Sequence, residues 1–131
     1  MSSKRTVTKL RVILIVEDDT ELRRMWRIAL SVEGFEVEEA GDGIEALQRL
    51  EQRSPDLIVL DLGLPRLSGL SVQQEIAAHA VTRQIPIVIV TGSTMELGHL
   101  DVPCVLRKPV TPEELVAAVE SCLHFRASSA R

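Results

Sequence analysis

Cys104 and Cys122 are the only cysteines in 131 residues. They lack C-x-x-C spacing and sit among apolar neighbours. That predicts buried free thiols and argues against a disulfide or a thiolate metal site. The three histidines, His79, His99 and His124, are scattered and suggest no ligand cluster. No apolar stretch reaches the length needed to span a bilayer. Residues 1–9 carry charge but no apolar segment, so they do not read as a signal peptide. The expectation is a cytoplasmic protein with no membrane partner. A basic excess is also missing. The formal charge is -4, which argues against direct nucleic-acid binding. No glycine-rich loop follows the first apolar run, so a nucleotide or flavin site is disfavoured.

What the chain does have is alternation of strand and helix within one domain. Strand one is read over 10–16, strand two over 35–40, strand three over 57–60, strand four over 87–90 and strand five over 104–106. Uninterrupted apolar runs such as Leu57-Ile58-Val59-Leu60 read as strands buried on both faces. Helices are read from about Thr20 to Glu33, from Gly43 to Arg53, and from Ser68 or Gly69 to Ala80. Asp19 or Thr20 and Asp42 are the predicted caps, and Gly34 is the predicted stop. Thr111-Pro112-Glu113-Glu114 opens a last helix as a capping box with proline at its first position, ending near Phe125. Between strands four and five there is room only for a loop or a short helix around Met95 to Leu100. Strands alternating with helices imply right-handed crossovers and a parallel sheet covered on both faces.

In such a sheet the chemistry gathers where strands end at the carboxyl edge. Strand one runs into Glu17 and Asp18, strand three into Asp61, strand four into Thr91, and strand five toward Lys108-Pro109. Each alone reads as a solvated loop residue. All together, each at the same end of its strand, they read as a site. Carboxylates crowded at one edge repel unless a cation or proton intervenes, which predicts a divalent metal site.

These residues carry a resemblance. Leu14-Ile15-Val16-Glu17-Asp18-Asp19 is similar to the acidic strand-one motif of response regulator receiver domains of two-component signalling. Leu57 to Pro65, continued by Ser68-Gly69, resembles their phospho-acceptor motif. Val88-Ile89-Val90-Thr91-Gly92 resembles the strand-four hydroxyl motif, and Arg107-Lys108-Pro109 the lysine-proline motif. The resemblance covers 10–125, leaving 1–9 and 126–131 as tails, the first of them flexible. It implies an α/β, doubly wound, five-stranded parallel sheet of the flavodoxin-like order 2-1-3-4-5, with helix four short or missing. It implies phosphorylation of Asp61 by a phosphohistidine on a histidine kinase or histidine phosphotransfer protein. Lys108 and Thr91 would contact the phosphoryl group. Mg²⁺, with Mn²⁺ as a substitute, would be held by Asp18, Asp61, the backbone carbonyl of Gly63 and, through water, Glu17. Asp19 reads as a helix cap. A cis bond before Pro109 is also implied.

The protein would then be a signalling phospho-acceptor that catalyses its own phosphorylation and dephosphorylation, not a classical enzyme. The downstream protein is unknown. One element departs from the family. Receivers often carry an aromatic residue three positions before the lysine, and this chain has Val105 and no tyrosine anywhere. The usual threonine-aromatic switch is therefore not expected. The alternative reading is a receiver-like module that binds a partner without phosphorylation. A metal-dependent hydrolase would need a further general acid, and none beyond Asp19 is visible. Ile28 and Val32 on helix one, with Val116 and Ala117 on the last helix, are expected to face outward as a patch for kinase docking or a homodimer.

Overall fold

Apolar residues that run consecutively, without alternating with polar ones, must be covered on both sides. The computed structural model, which describes residues 10–92 and 104–129 with side chains to 124, shows how this is met. The elements are β1 (Val12–Val16), α1 (Thr20–Val32), β2 (Glu36–Ala40), α2 (Gly43–Gln52), β3 (Leu57–Asp61), α3 (Gly69–Ala78), β4 (Ile87–Thr91), β5 (Cys104–Arg107) and α4 (Pro112–Ser129). The five strands form one parallel sheet in the order β2-β1-β3-β4-β5, as expected. β1, β3 and β4 are buried along their whole length.

Successive side chains on these strands feed opposite layers. Leu14, Val16, Ile58, Leu60 and Ile89 pack with Ala46 and Leu50 of α2 and Val72 and Ile76 of α3. Ile13, Ile15, Val59, Val88 and Val90 pack with Trp26 and Leu30 of α1 and Leu115 and Val119 of α4. The fold is therefore doubly wound, with α1 and α4 on one face and α2 and α3 on the other.

The expected caps Asp19 and Asp42 are found, and Ser68, read as a possible first residue of its helix, is a third. Asp19 accepts from the N–H groups of Glu21 and Leu22, Asp42 from Glu45, and Ser68 from Ser71. Thr111 and Glu114 close the capping box reciprocally, at 2.9 and 3.1 Å. Gly34 follows α1 with φ +97°, a conformation open to glycine and strained for other residues. The Lys108-Pro109 bond is cis.

Several details differ from expectation. α3 stops at Ala78, two residues early, because the buried Thr82 hydroxyl donates to the Ile76 carbonyl and the N–H groups of Thr82 and Arg83 turn back onto His79. α4 continues past Phe125 to Ser129. Cys122 is buried, but Cys104 is only half-buried because β5 is an edge strand. Neither is part of a disulfide. Val116 is half-buried against the α1–α4 layer, whereas Ile28, Val32 and Ala117 are exposed. The expected short helix around Met95 to Leu100 lies outside the described residues, among which there are four helices.

Candidate functional site

Register decides which strand ends meet. Val16 of β1 lies opposite Leu60 of β3, so the next residues, Glu17 and Asp61, emerge side by side at the carboxyl edge. Asp61 lies opposite Val90, one residue before Thr91, and the Lys108 N–H donates to the Thr91 carbonyl at 2.8 Å. The four strand ends thus converge, as their positions predicted.

Carboxylate oxygens of Glu17, Asp18 and Asp61 lie within 4.8 Å of one another. Glu17 is fully buried, Asp61 is 4% exposed and Asp18 is open to solvent. Asp61 Oδ1 accepts the Gly63 N–H at 2.9 Å, which orients the carboxylate plane. Lys108 Nζ reaches Glu17 Oε1 at 3.0 Å and Asp61 Oδ2 at 3.4 Å. The first contact is an ion pair and not a well-aligned hydrogen bond. Thr91 is buried at the same edge.

The charges on these groups show what the cluster lacks. Burial pushes the Glu17 carboxyl up, and the Asp61 charge pushes the same way. The Asp19 N–H and the Lys108 ammonium oppose this without cancelling it. For Lys108, burial favours the neutral form, but the close contact and charge of Glu17 and the charge of Asp61 outweigh it and hold the pKa above its ordinary value. One ammonium is therefore shared by two buried carboxylates beside a third exposed one. The donor set is all oxygen, with no cysteine or histidine, so it fits a hard divalent cation and not zinc.

This imbalance sets a pH dependence. The folded-state pKa of Glu17 lies above its ordinary 4.5. Its stabilising contribution is therefore complete below that value and is lost as pH rises through the folded pKa. Glu17→Gln removes the ionisation but keeps an oxygen for the Asp19 N–H. In metal-free buffer the variant should overtake the parent as pH rises, by roughly 1 kcal/mol near neutrality, the scale of a relieved desolvation penalty. Urea unfolding in EDTA at pH 4 and pH 7 checks it; an equal difference at both pH values would contradict the assignment.

A family model described as the response regulator receiver domain matches residues 13–120. The chain belongs to this family. DNA-binding response regulator MtrA of Mycolicibacterium paratuberculosis is 38% identical over 119 residues, covering 85% of this chain and 50% of that protein. The chain thus spans about half the length of the curated relatives it matches. Among solved structures, a CheY-like response regulator receiver domain protein from Methanospirillum hungatei JF-1 superposes with TM-score 0.84 at 27% identity. It covers 92% of this chain and 99% of that one. Chemotaxis response regulator CheY4 of Vibrio cholerae gives 0.80 at 26% identity, over 87% and 99% of the two chains.

Three features of this receiver domain escape a reading along the chain. Arg23 of α1 donates to the Glu17 carbonyl at 2.6 Å. Gly69 starts α3 hard against the backbone of Asp61 and Leu62. Arg66, in the loop after β3, has φ +67° and pairs with Asp42 at 3.2 Å. A basic residue one turn into α1, facing an acidic β2, is the only sequence signal for the first. Among the described residues, a Cβ at Gly92 would meet the Lys108 stem at 3.8 Å, an ordinary contact. No described helix is long and apolar enough to cross a membrane.

Proposed function

We propose that this receiver domain of a two-component response regulator takes a phosphoryl group from a phosphohistidine onto Asp61. An Asp61 carboxylate oxygen attacks phosphorus, the P–N bond breaks, and its electron pair leaves with the imidazole nitrogen. The product is an acyl phosphate. The observation that carries this reading is the convergence of Glu17, Asp18, Asp61 and Lys108 at one strand edge. Phosphoryl transfer needs positioning and charge neutralisation more than covalent help. Bound Mg²⁺, or Mn²⁺, would neutralise charge between the carboxylates and the incoming group.

The chain's own groups divide the remaining work. The Gly63 N–H holds the nucleophile's plane. Asp18, Asp61 and the Gly63 carbonyl are the proposed direct ligands, with Glu17 acting through water. Lys108, a compact charge already beside Asp61, meets the phosphoryl oxygens. The Thr91 hydroxyl donates to the same group. The added charge then biases a two-state equilibrium read by a downstream protein. Val105, 38% exposed on β5, replaces the aromatic residue common in the family, so the output runs through a different element.

The donor is a histidine kinase or a histidine phosphotransfer protein, encountered in the cytoplasm. The exposed Met25, Ile28 and Val32 stripe on α1 is the proposed docking or homodimer face, with α4 beside it. The expectation of no nucleic-acid contact is restricted to this acidic domain, because relatives about twice its length are DNA-binding response regulators. The domain's own dephosphorylation belongs to the same proposal.

Acetyl phosphate is the test. With Mg²⁺ the protein should incorporate about one hydroxylamine-sensitive phosphate per chain, one acceptor carboxylate reacting once. EDTA should abolish incorporation and Mn²⁺ restore it. Partner affinity that is identical with and without beryllofluoride would instead favour the phosphorylation-independent module.

A further inference from the structure

Asp18 is exposed, and the two peptide groups that flank it fix the direction in which its Cα–Cβ bond points. Both are pinned. The carbonyl of the Glu17–Asp18 peptide accepts from Arg23 Nη1 at 2.6 Å. The N–H of the Asp18–Asp19 peptide donates to Glu17 Oε2 at 3.0 Å. Glu17 itself is held from behind, its N–H donating to the Ala40 carbonyl at 3.1 Å.

Arg23 is held in turn. Its Nε lies 2.8 Å from Glu39 Oε1 on β2, and the other oxygen of Glu39 takes Arg27 Nε, also at 2.8 Å. The Arg23 side chain is only 18% exposed. A planar guanidinium can bond a carboxylate with one edge and a carbonyl with another, which an ammonium cannot reproduce in one geometry.

We propose that Arg23 is a positioning residue for the cation site. It locks the peptide before Asp18 so that the carboxylate projects toward Asp61, and Glu39 fixes Arg23 for that task. The inference deepens the cation reading above and rests on it. Arg27 supplies the control, because it sits one turn later, carries the same charge and shares Glu39, yet no contact links it to Glu17.

Arg23→Met should raise the Mg²⁺ concentration for half-maximal labelling roughly tenfold, the low end for loss of a group that orients a ligand. The rate at saturating Mg²⁺ should change far less. Arg27→Met should stay within about twofold, since no ligand contact is lost. Amide exchange in metal-free protein gives a second readout: the Asp19 N–H should exchange faster in the Arg23 variant than in the Arg27 variant. Equal effects of the two variants on both readouts would overturn the proposal. If Arg23→Met does not fold, Arg23→Lys, which keeps charge but not the two-edged contact, should still weaken Mg²⁺ more than Arg27→Met; parity would overturn it. A parent protein indifferent to Mg²⁺ would sink the cation reading instead, and the exchange comparison would then decide the clamp alone.

Discussion

Asp61→Asn should take up no phosphate from acetyl phosphate, while remaining at least as stable as the parent in metal-free buffer. The two halves of this result have different origins. Labelling is lost because an amide oxygen is too poor a nucleophile to displace the donor, and no neighbouring carboxylate replaces it. Glu17 is fully buried, and its Oε2 is engaged by the Asp19 N–H. Asp18 is exposed but follows a different strand, β1, and lacks the Gly63 N–H that orients Asp61. Stability is kept because the amide oxygen of the variant can still accept the Gly63 N–H that Asp61 Oδ1 accepts now. The substitution also deletes one negative charge beside Glu17, whose carboxyl is pushed up by burial and by that same charge. Lys108 retains Glu17 at 3.0 Å as its partner. Radiolabelling with gel readout and urea unfolding in EDTA measure the two halves. Undiminished labelling would remove Asp61 as the acceptor. Lost labelling with a collapsed fold would show that the carboxylate is structural, and the functional inference from it would fail.

The strand ends could be read along the chain because burial and position in the sheet leave a one-dimensional trace. A short, mostly β-branched apolar run such as Ile58-Val59-Leu60, with Pro55 before it and Gly63 after it, reads as a two-sided strand, and the first polar residue after it marks the carboxyl edge. Asp19, Asp42 and Thr111 are equally local: each cap satisfies donors two or three residues away. Pairing order came through resemblance, not from the apolar pattern. What stayed hidden depends on contacts between distant segments. Arg23 reads as one of several surface arginines on α1, and only the β1–β2 register brings Glu39 and the Glu17 carbonyl to it. Cys104 reads like Cys122 from its neighbours, yet an edge strand leaves it half covered. The end of α3 is set by the Thr82 hydroxyl, six residues beyond its acceptor Ile76.

Gly69 is the clearest case of a residue whose necessity appears only in three dimensions. Along the chain it closes the motif resemblance and stands at the start of a helix, where propensity alone would favour alanine. In the fold, a Cβ at Gly69 would fall against the Asp61 carbonyl oxygen and the Leu62 Cα, both backbone. Backbone cannot turn aside as a side chain can. The Gly69 N–H also donates to the Leu62 carbonyl at 3.3 Å, so the two segments cannot part without losing that bond. Gly69→Ala should therefore cost about 2 to 3 kcal/mol, the upper range for overpacking, lowering Tm by roughly 5 to 12 °C for a domain of this size. Gly63→Ala is the comparison. Its Cβ would lie 3.6 Å from Asp61 Oδ1, an ordinary contact, and the loss should be about 1 kcal/mol or less. Because the displaced backbone is that of Asp61 itself, Gly69→Ala should also slow labelling below the melting range, where the protein remains folded. Calorimetry and labelling at low temperature test both effects. A Gly69→Ala protein as stable as Gly63→Ala would mean that α3 can slide away from β3 freely. The acceptor loop would then not be braced by the start of that helix.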